Sequence, residues 1–163
     1  MTSKHDEKSS TAARGCACAL FALVAGATAC SRQPQPYVPG FGEIMTLTQM
    51  RHAKLWLAGD AGNWPLAAYE LDELKEGFDD LVAYHPTHKE APVPIPQVVE
   101  KMMTVPLKDL DAAVSARDRE RFTRAFDDLT RGCNGCHQAT NFGFNVVTRP
   151  TGNPYVNQLF PPQ

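Results

Sequence analysis

The sequence predicts an all-α protein, an antiparallel four-helix bundle with an extended C-terminal tail. Three observations point there. Four stretches beyond residue 42 carry apolar residues at spacings of three and four, the repeat that lines up one face of a helix. No stretch alternates apolar and polar residues over the length of a strand. The outer connections are short and the central one is longer, which suits helices that double back on one another.

The first helix is expected over residues 43–58. Ile44, Leu47, Arg51, Leu55 and Ala58 fall on one stripe, with Met45, Thr48, His52 and Trp56 beside it. Gly59 fits a C-terminal stop. The second helix is expected over 64–84, with Asn63 as N-cap and Pro65 in the first turn. Its apolar stripe is Leu71, Leu74, Phe78 and Leu81. Glu70, Asp72, Glu73, Glu76, Asp79 and Asp80 cover the other faces and read as a solvated surface, with a docking patch for a basic partner as the sharper alternative.

Pro86, Pro92, Pro94 and Pro96 make residues 85–96 a loop. The third helix follows over 97–116 with Val98, Met102, Leu107, Leu110 and Val114 inward; Pro106 is expected to kink or split it. The fourth starts near Asp118, a possible N-cap. Phe122, Phe126, Leu129, Cys133 and His137 then share one face. Residues 140–163 form an irregular tail. It is expected to pack back on the bundle, because Phe142, Phe144, Tyr155 and Phe160 would otherwise be exposed.

The segments before the bundle read differently. Residues 1–30 have the anatomy of an export signal: a polar, mildly basic start through Arg14, an apolar run from Gly15, and small residues Ala27-Thr28-Ala29. The run is too short for a membrane span. Cys30 follows at once, so two outcomes stay open: a lipoprotein acylated at Cys30, which is preferred, or simple cleavage. Cys16 and Cys18 would leave with the signal. Residues 31–41 read as a Pro-rich tether. Localisation is therefore expected outside the cytoplasmic membrane, in the bacterial periplasm. The formal net charge of −2, with no basic stripe, argues against a nucleic-acid binder.

Cys133-Asn134-Gly135-Cys136-His137 carries the chemistry. C-x-x-C-H is the attachment pattern of a c-type haem: two thiols add to two vinyl groups, and the next residue binds the iron. The competing readings are a thiol redox pair and half of a zinc site. Zinc would need two more ligands, and His85 and His88 are the only grouping upstream. A redox motif belongs at the start of a helix in a βαβ unit, whereas this one closes a helix. A non-haem thiol or structural lipoprotein remains the reading of a different class. No nucleophile–base pair, phosphate loop or co-facial carboxylate pair suggests an enzyme; Asp127 and Asp128 are adjacent and read as solvated.

Over residues 42–138 the chain resembles the class II c-type cytochromes, the cytochrome c′ and c556 group, as a divergent member. The likeness rests on the helix pattern and on the motif near the end of the fourth helix. It implies one covalent haem c, Cys133 and Cys136 as thioether anchors, and His137 as axial ligand. It also implies redox proteins as partners and allows a homodimer. The tail is a departure, because members of that group usually stop soon after the motif.

The opposite face of the iron decides function. The first and fourth helices of such a bundle run antiparallel, so the facing residue should lie early in the first helix. Met45 satisfies this and is the preferred sixth ligand. His52 lies about 10 Å further along the axis and is the weaker candidate, better read as a surface or capping residue. Met50 is a third, and an open site is the remaining possibility. Methionine ligation would make an electron carrier; an open face would make a five-coordinate protein that binds NO or CO.

Overall fold

In the computed structural model, described here over residues 36–163, helices occupy the four expected stretches. They are α1 (Phe41–Asp60), α2 (Trp64–Tyr84), α3 (Ile95–Ala116) and α4 (Arg119–Ala139), with no strand among the described residues. The protein is an all-α four-helix bundle. α1 packs mainly on α2 and α3 mainly on α4, whereas α1 and α4 meet least of the neighbouring pairs. Residues 1–35, with the expected export signal, Cys30 and the first part of the tether, lie outside the described residues. No described helix is long and apolar enough to cross a membrane.

Local chemistry sets the helix ends. The Asn63 side chain accepts from the Leu66 N–H and opens α2, and Asp118 accepts from the Arg121 N–H and opens α4. α3 starts two residues earlier than expected, because Pro96 is tolerated in a first turn whose N–H groups have no helical acceptor. α1 does not stop at Gly59. It runs to Asp60 and turns at Gly62, which takes the left-handed backbone (φ 74°). Gly59 has a packing role instead: a Cβ there would lie 2.2 Å from the Phe122 ring.

α3 is one continuous helix through Pro106. Proline has no N–H for the Met102 carbonyl one turn back. That carbonyl faces Gly132 of α4, where an added Cβ would come within 2.7 Å of it. The absence of a side chain at Gly132 thus lets α4 lie against the carbonyl that Pro106 leaves without its helical donor.

Leu55, Leu71, Leu74, Met103, Leu110, Phe122, Phe126 and Leu129 form the centre of the core. Each such side chain contributes about 1.5–3 kcal/mol when fully buried. Two sequence expectations change. Leu47 is 51% exposed, because the inward stripe of α1 runs Ile44, Thr48, His52, Leu55 and Trp56. Glu70 is not on a solvated face: it is 1% exposed and meets the Arg51 guanidinium at 3.1 Å, which also reaches Glu73 at 2.7 Å.

The tail packs back as expected, but only in part: Phe160 is buried and Phe142 and Tyr155 are half-buried, whereas Phe144 stays 82% exposed. It runs from the end of α4 along the seam that α1 and α4 leave open. Arg149 pairs with Asp127, so that carboxylate is not free in solvent, and its guanidinium lies 4.3 Å from the centre of the Trp56 ring. The Tyr155 hydroxyl donates to the Met50 carbonyl at 3.3 Å. Phe160 is buried at the far end, where its carbonyl accepts from Asn63.

Candidate functional site

The last turns of α4 carry the motif. Cys133 continues the stripe of Phe122, Phe126 and Leu129 and is buried, and Cys136 is partly buried one turn on. Burial pushes the pKa of each thiol up to about 12, with Cys136 adding to the effect at Cys133. Both are protonated at neutral pH. The Cys136 S–H points at the Val98 carbonyl, 3.9 Å away. A thiol-exchange pair needs the opposite environment, a positive neighbour that brings the pKa down. Zinc chemistry lacks its ligands too, since no group of three or more His, Cys, Asp or Glu among the described residues could hold a metal ion.

Both thiols face a cleft of about 240 Å³ between the start of α1 and the end of α4. Phe41, Met45 and Thr48 line it from α1, Phe78 and Leu81 from α2, and Ile95, Val98 and Val99 from α3. Cys133, Cys136 and His137 line it from α4, Thr140 from the cap that follows, and Phe142, Asn145 and Val147 from the tail. The walls are mainly aliphatic and aromatic. The volume is below the roughly 300–1,000 Å³ of common ligand sites, so a large planar group would be held with part of its surface in solvent. The donor set suits a group that brings its own equatorial ligands: two thiols for covalent anchorage and one histidine.

His137 is half-buried at the cleft edge. Its Nδ1 lies 2.5 Å from the Asn145 carbonyl. A carbonyl only accepts, so Nδ1 carries the proton, and in the neutral ring Nε2 is then the atom with the lone pair. Met45, also half-buried, lines the cleft from the facing helix.

The other candidates lie elsewhere. His52 is outside the cleft lining, and it is not a surface or capping residue either, being only 2% exposed. Its ring packs 4.5 Å from that of Phe126, and Nε2 lies 2.9 Å from the Thr130 hydroxyl. Thr130 gives its proton to the Phe126 carbonyl, so His52 Nε2–H is the donor. Burial lowers the His52 pKa to about 4, so the ring is neutral. Met50 contributes its carbonyl to the tail and does not line the cleft. His85 and His88 do not line the cleft; their rings pack 5.8 and 4.6 Å from that of Phe41. Cys30 lies outside the described residues.

Two participants are invisible in the sequence pattern. Asn134, a variable position of the motif, bonds the tail backbone at Val147, and Asn145 supplies the carbonyl that meets His137. Both contacts are made through space by an irregular segment, which no periodicity marks. Comparison of the chain with protein-family models, curated proteins and solved structures finds no match.

Proposed function

We propose that the protein is a monohaem c-type cytochrome that transfers electrons outside the cytoplasmic membrane. The observation that carries the reading is the shared cleft: both thiols of C-x-x-C-H, its histidine and Met45 line one apolar space. When bound, haem c would supply a one-electron ferric/ferrous couple. Cys133 and Cys136 would hold it, each S–H adding across one vinyl group to leave a thioether. His137 would offer Nε2 to the iron, and Met45 its sulfur to the other face. Phe78, Leu81, Ile95 and Val99 would exclude water, and the open mouth would admit a redox partner protein to within electron-transfer reach. Acylation of Cys30, with the chain up to residue 40 as spacer, would hold the protein at a membrane surface.

Three measurements on protein matured in an exporting bacterium test this. Haem-linked peroxidase staining on a denaturing gel is expected to be positive; a negative result removes the reading and leaves a non-haem thiol or structural lipoprotein. The ferric spectrum is expected to be low-spin with a methionine–iron charge-transfer band. A high-spin ferric spectrum would instead favour a five-coordinate protein that binds NO or CO. Met45→Ala is expected to convert low-spin to high-spin, and a variant that stays low-spin would remove Met45 as ligand.

A further inference from the structure

We infer that the C-terminal tail sets the donor strength of His137, held in register by Asn134 of the motif itself. The inference rests on the cytochrome reading above.

The Asn134 side chain makes two bonds to one residue. Its Nδ2 donates to the Val147 carbonyl at 2.9 Å, and its Oδ1 accepts from the Val147 N–H at 2.8 Å. A single side chain thereby satisfies both backbone groups of Val147, as a neighbouring strand would. Two residues upstream lies the Asn145 carbonyl that meets His137 Nδ1. The Asn145 N–H donates to the Phe142 carbonyl at 2.8 Å, which closes a turn on the other side. The turn itself leaves α4 through Asn141, whose left-handed backbone (φ 67°) an asparagine tolerates. The acceptor carbonyl is thus fixed on both flanks, by a turn at 142–145 and by the Asn134 clasp at 147.

The clasp is more than a means of docking the tail. Arg149–Asp127, Tyr155–Met50, Asn63–Phe160 and the buried Phe160 ring hold the rest of the tail at points further along the bundle. What the clasp adds is the position of residues 145–147 beside the histidine. A carbonyl that accepts from Nδ1–H fixes the tautomer and ring orientation and makes Nε2 more electron-rich. A stronger axial donor favours ferric iron and lowers the reduction potential. Asn134 is a positioning residue, acting through a backbone carbonyl that no side-chain substitution can remove.

The test compares wild type, Asn134→Ala, Asn134→Asp and Tyr155→Phe as full-length, haem-loaded proteins. The readouts are midpoint potential and hydrogen exchange of the Val147 amide. Asn134→Ala is expected to lose Val147 protection and to raise the potential. Asn134→Asp keeps the acceptor for the Val147 N–H and is expected to retain protection, with a smaller rise. Tyr155→Phe loosens the tail far from His137 and is expected to leave the potential unchanged. Covalent haem with lost protection and an unmoved potential in Asn134→Ala would overturn the inference while the cytochrome reading stands. So would retained protection in that variant, or an equal rise in Tyr155→Phe. Absence of covalent haem in the wild type would overturn both.

Discussion

The two ends of the α1–α4 seam are built from the same pair of helices and do opposite things. At one end Trp56 packs 6.1 Å from Phe122 and 5.1 Å from Phe126, with Trp64 edge-on to Phe122, and Gly59 lets that ring lie against α1. At the other end α1 offers Gly42, Met45 and Thr46, and α4 offers Cys133 and Cys136. The inward stripe of α4 thus passes from phenylalanines to thiols, and the seam passes from a filled core to a cleft. The closed end carries the two short turns and the aromatic packing; the cleft end carries the long loop, the start of the tail and the C-x-x-C-H motif. His52, bonded to Thr130, stands between them as the last buried ring before the cleft.

The sharpest break of that comparison is truncation at each end. Phe122→Ala is expected to cost about 3–5 kcal/mol, because a fully buried ring is lost and the aromatic packing around it cannot collapse. Met45→Ala in the haem-free chain is expected to cost about 1 kcal/mol or less, since its side chain borders the cleft. Urea unfolding monitored by circular dichroism measures both. Equal costs would mean that the two ends do not divide the labour in this way.

His52 makes the boundary pH-sensitive. Its pKa is lowered by burial from an ordinary 6.5 to about 4. The unfolded chain therefore binds a proton that the folded chain refuses between those values. Stability from this group is complete above about pH 6.5 and falls away as the pH drops toward 4, by about 2–3 kcal/mol. His52→Gln retains an N–H for Thr130 but cannot charge. It is expected to flatten the stability profile over that window, as measured by denaturant midpoints at stepped pH. An unchanged slope would show that His52 is not the group refusing the proton.

Gly59→Ala probes the tightness of the closed end from the side of α1. The added Cβ meets three Phe122 ring atoms below 3.0 Å, so the ring must move. A cost of about 1–3 kcal/mol is expected from overpacking, despite alanine's better helix propensity. Pairing it with Phe122→Leu should recover part of that loss relative to the two single changes added together.

Local features of the fold were legible in the sequence, and through-space ones were not. Asn63 and Asp118 were readable as caps because a cap is decided within four residues. The stripes of α2 and α4 were readable because large apolar residues mark them. On α1 the stripe was obscured: Arg51 falls beside it to reach Glu70, and Thr48 and His52 fill inward positions that look polar. Glu70 read as solvated because its counter-charge sits on another helix. Gly59 read as a stop because glycine near a helix end usually is one, whereas Phe122 sets its identity from α4. At the cleft, the C-x-x-C-H spacing pointed to Cys133, Cys136 and His137, and the antiparallel order of the first and fourth helices pointed to Met45, but nothing local could reveal that the tail returns to Asn134 and His137.

The smallest expected effect lies in the two turns that close the filled end, and it separates backbone from packing. Gly62 and Arg117 occupy equivalent places, each left-handed, with φ of 74° and 55°. Glycine adopts that conformation freely, whereas arginine meets its own Cβ there. Gly62→Ala should therefore cost about 1 kcal/mol, although nothing lies within 4 Å of the added Cβ. Arg117→Gly should run the other way. Relief of the left-handed strain outweighs the added freedom of the unfolded chain by about 0.5 kcal/mol. Thermal midpoints of the two variants should move in opposite directions. A shift of the same sign would mean that the turn at Arg117 is held by side-chain contacts, and that stability at this end is not set by ring packing and backbone conformation alone.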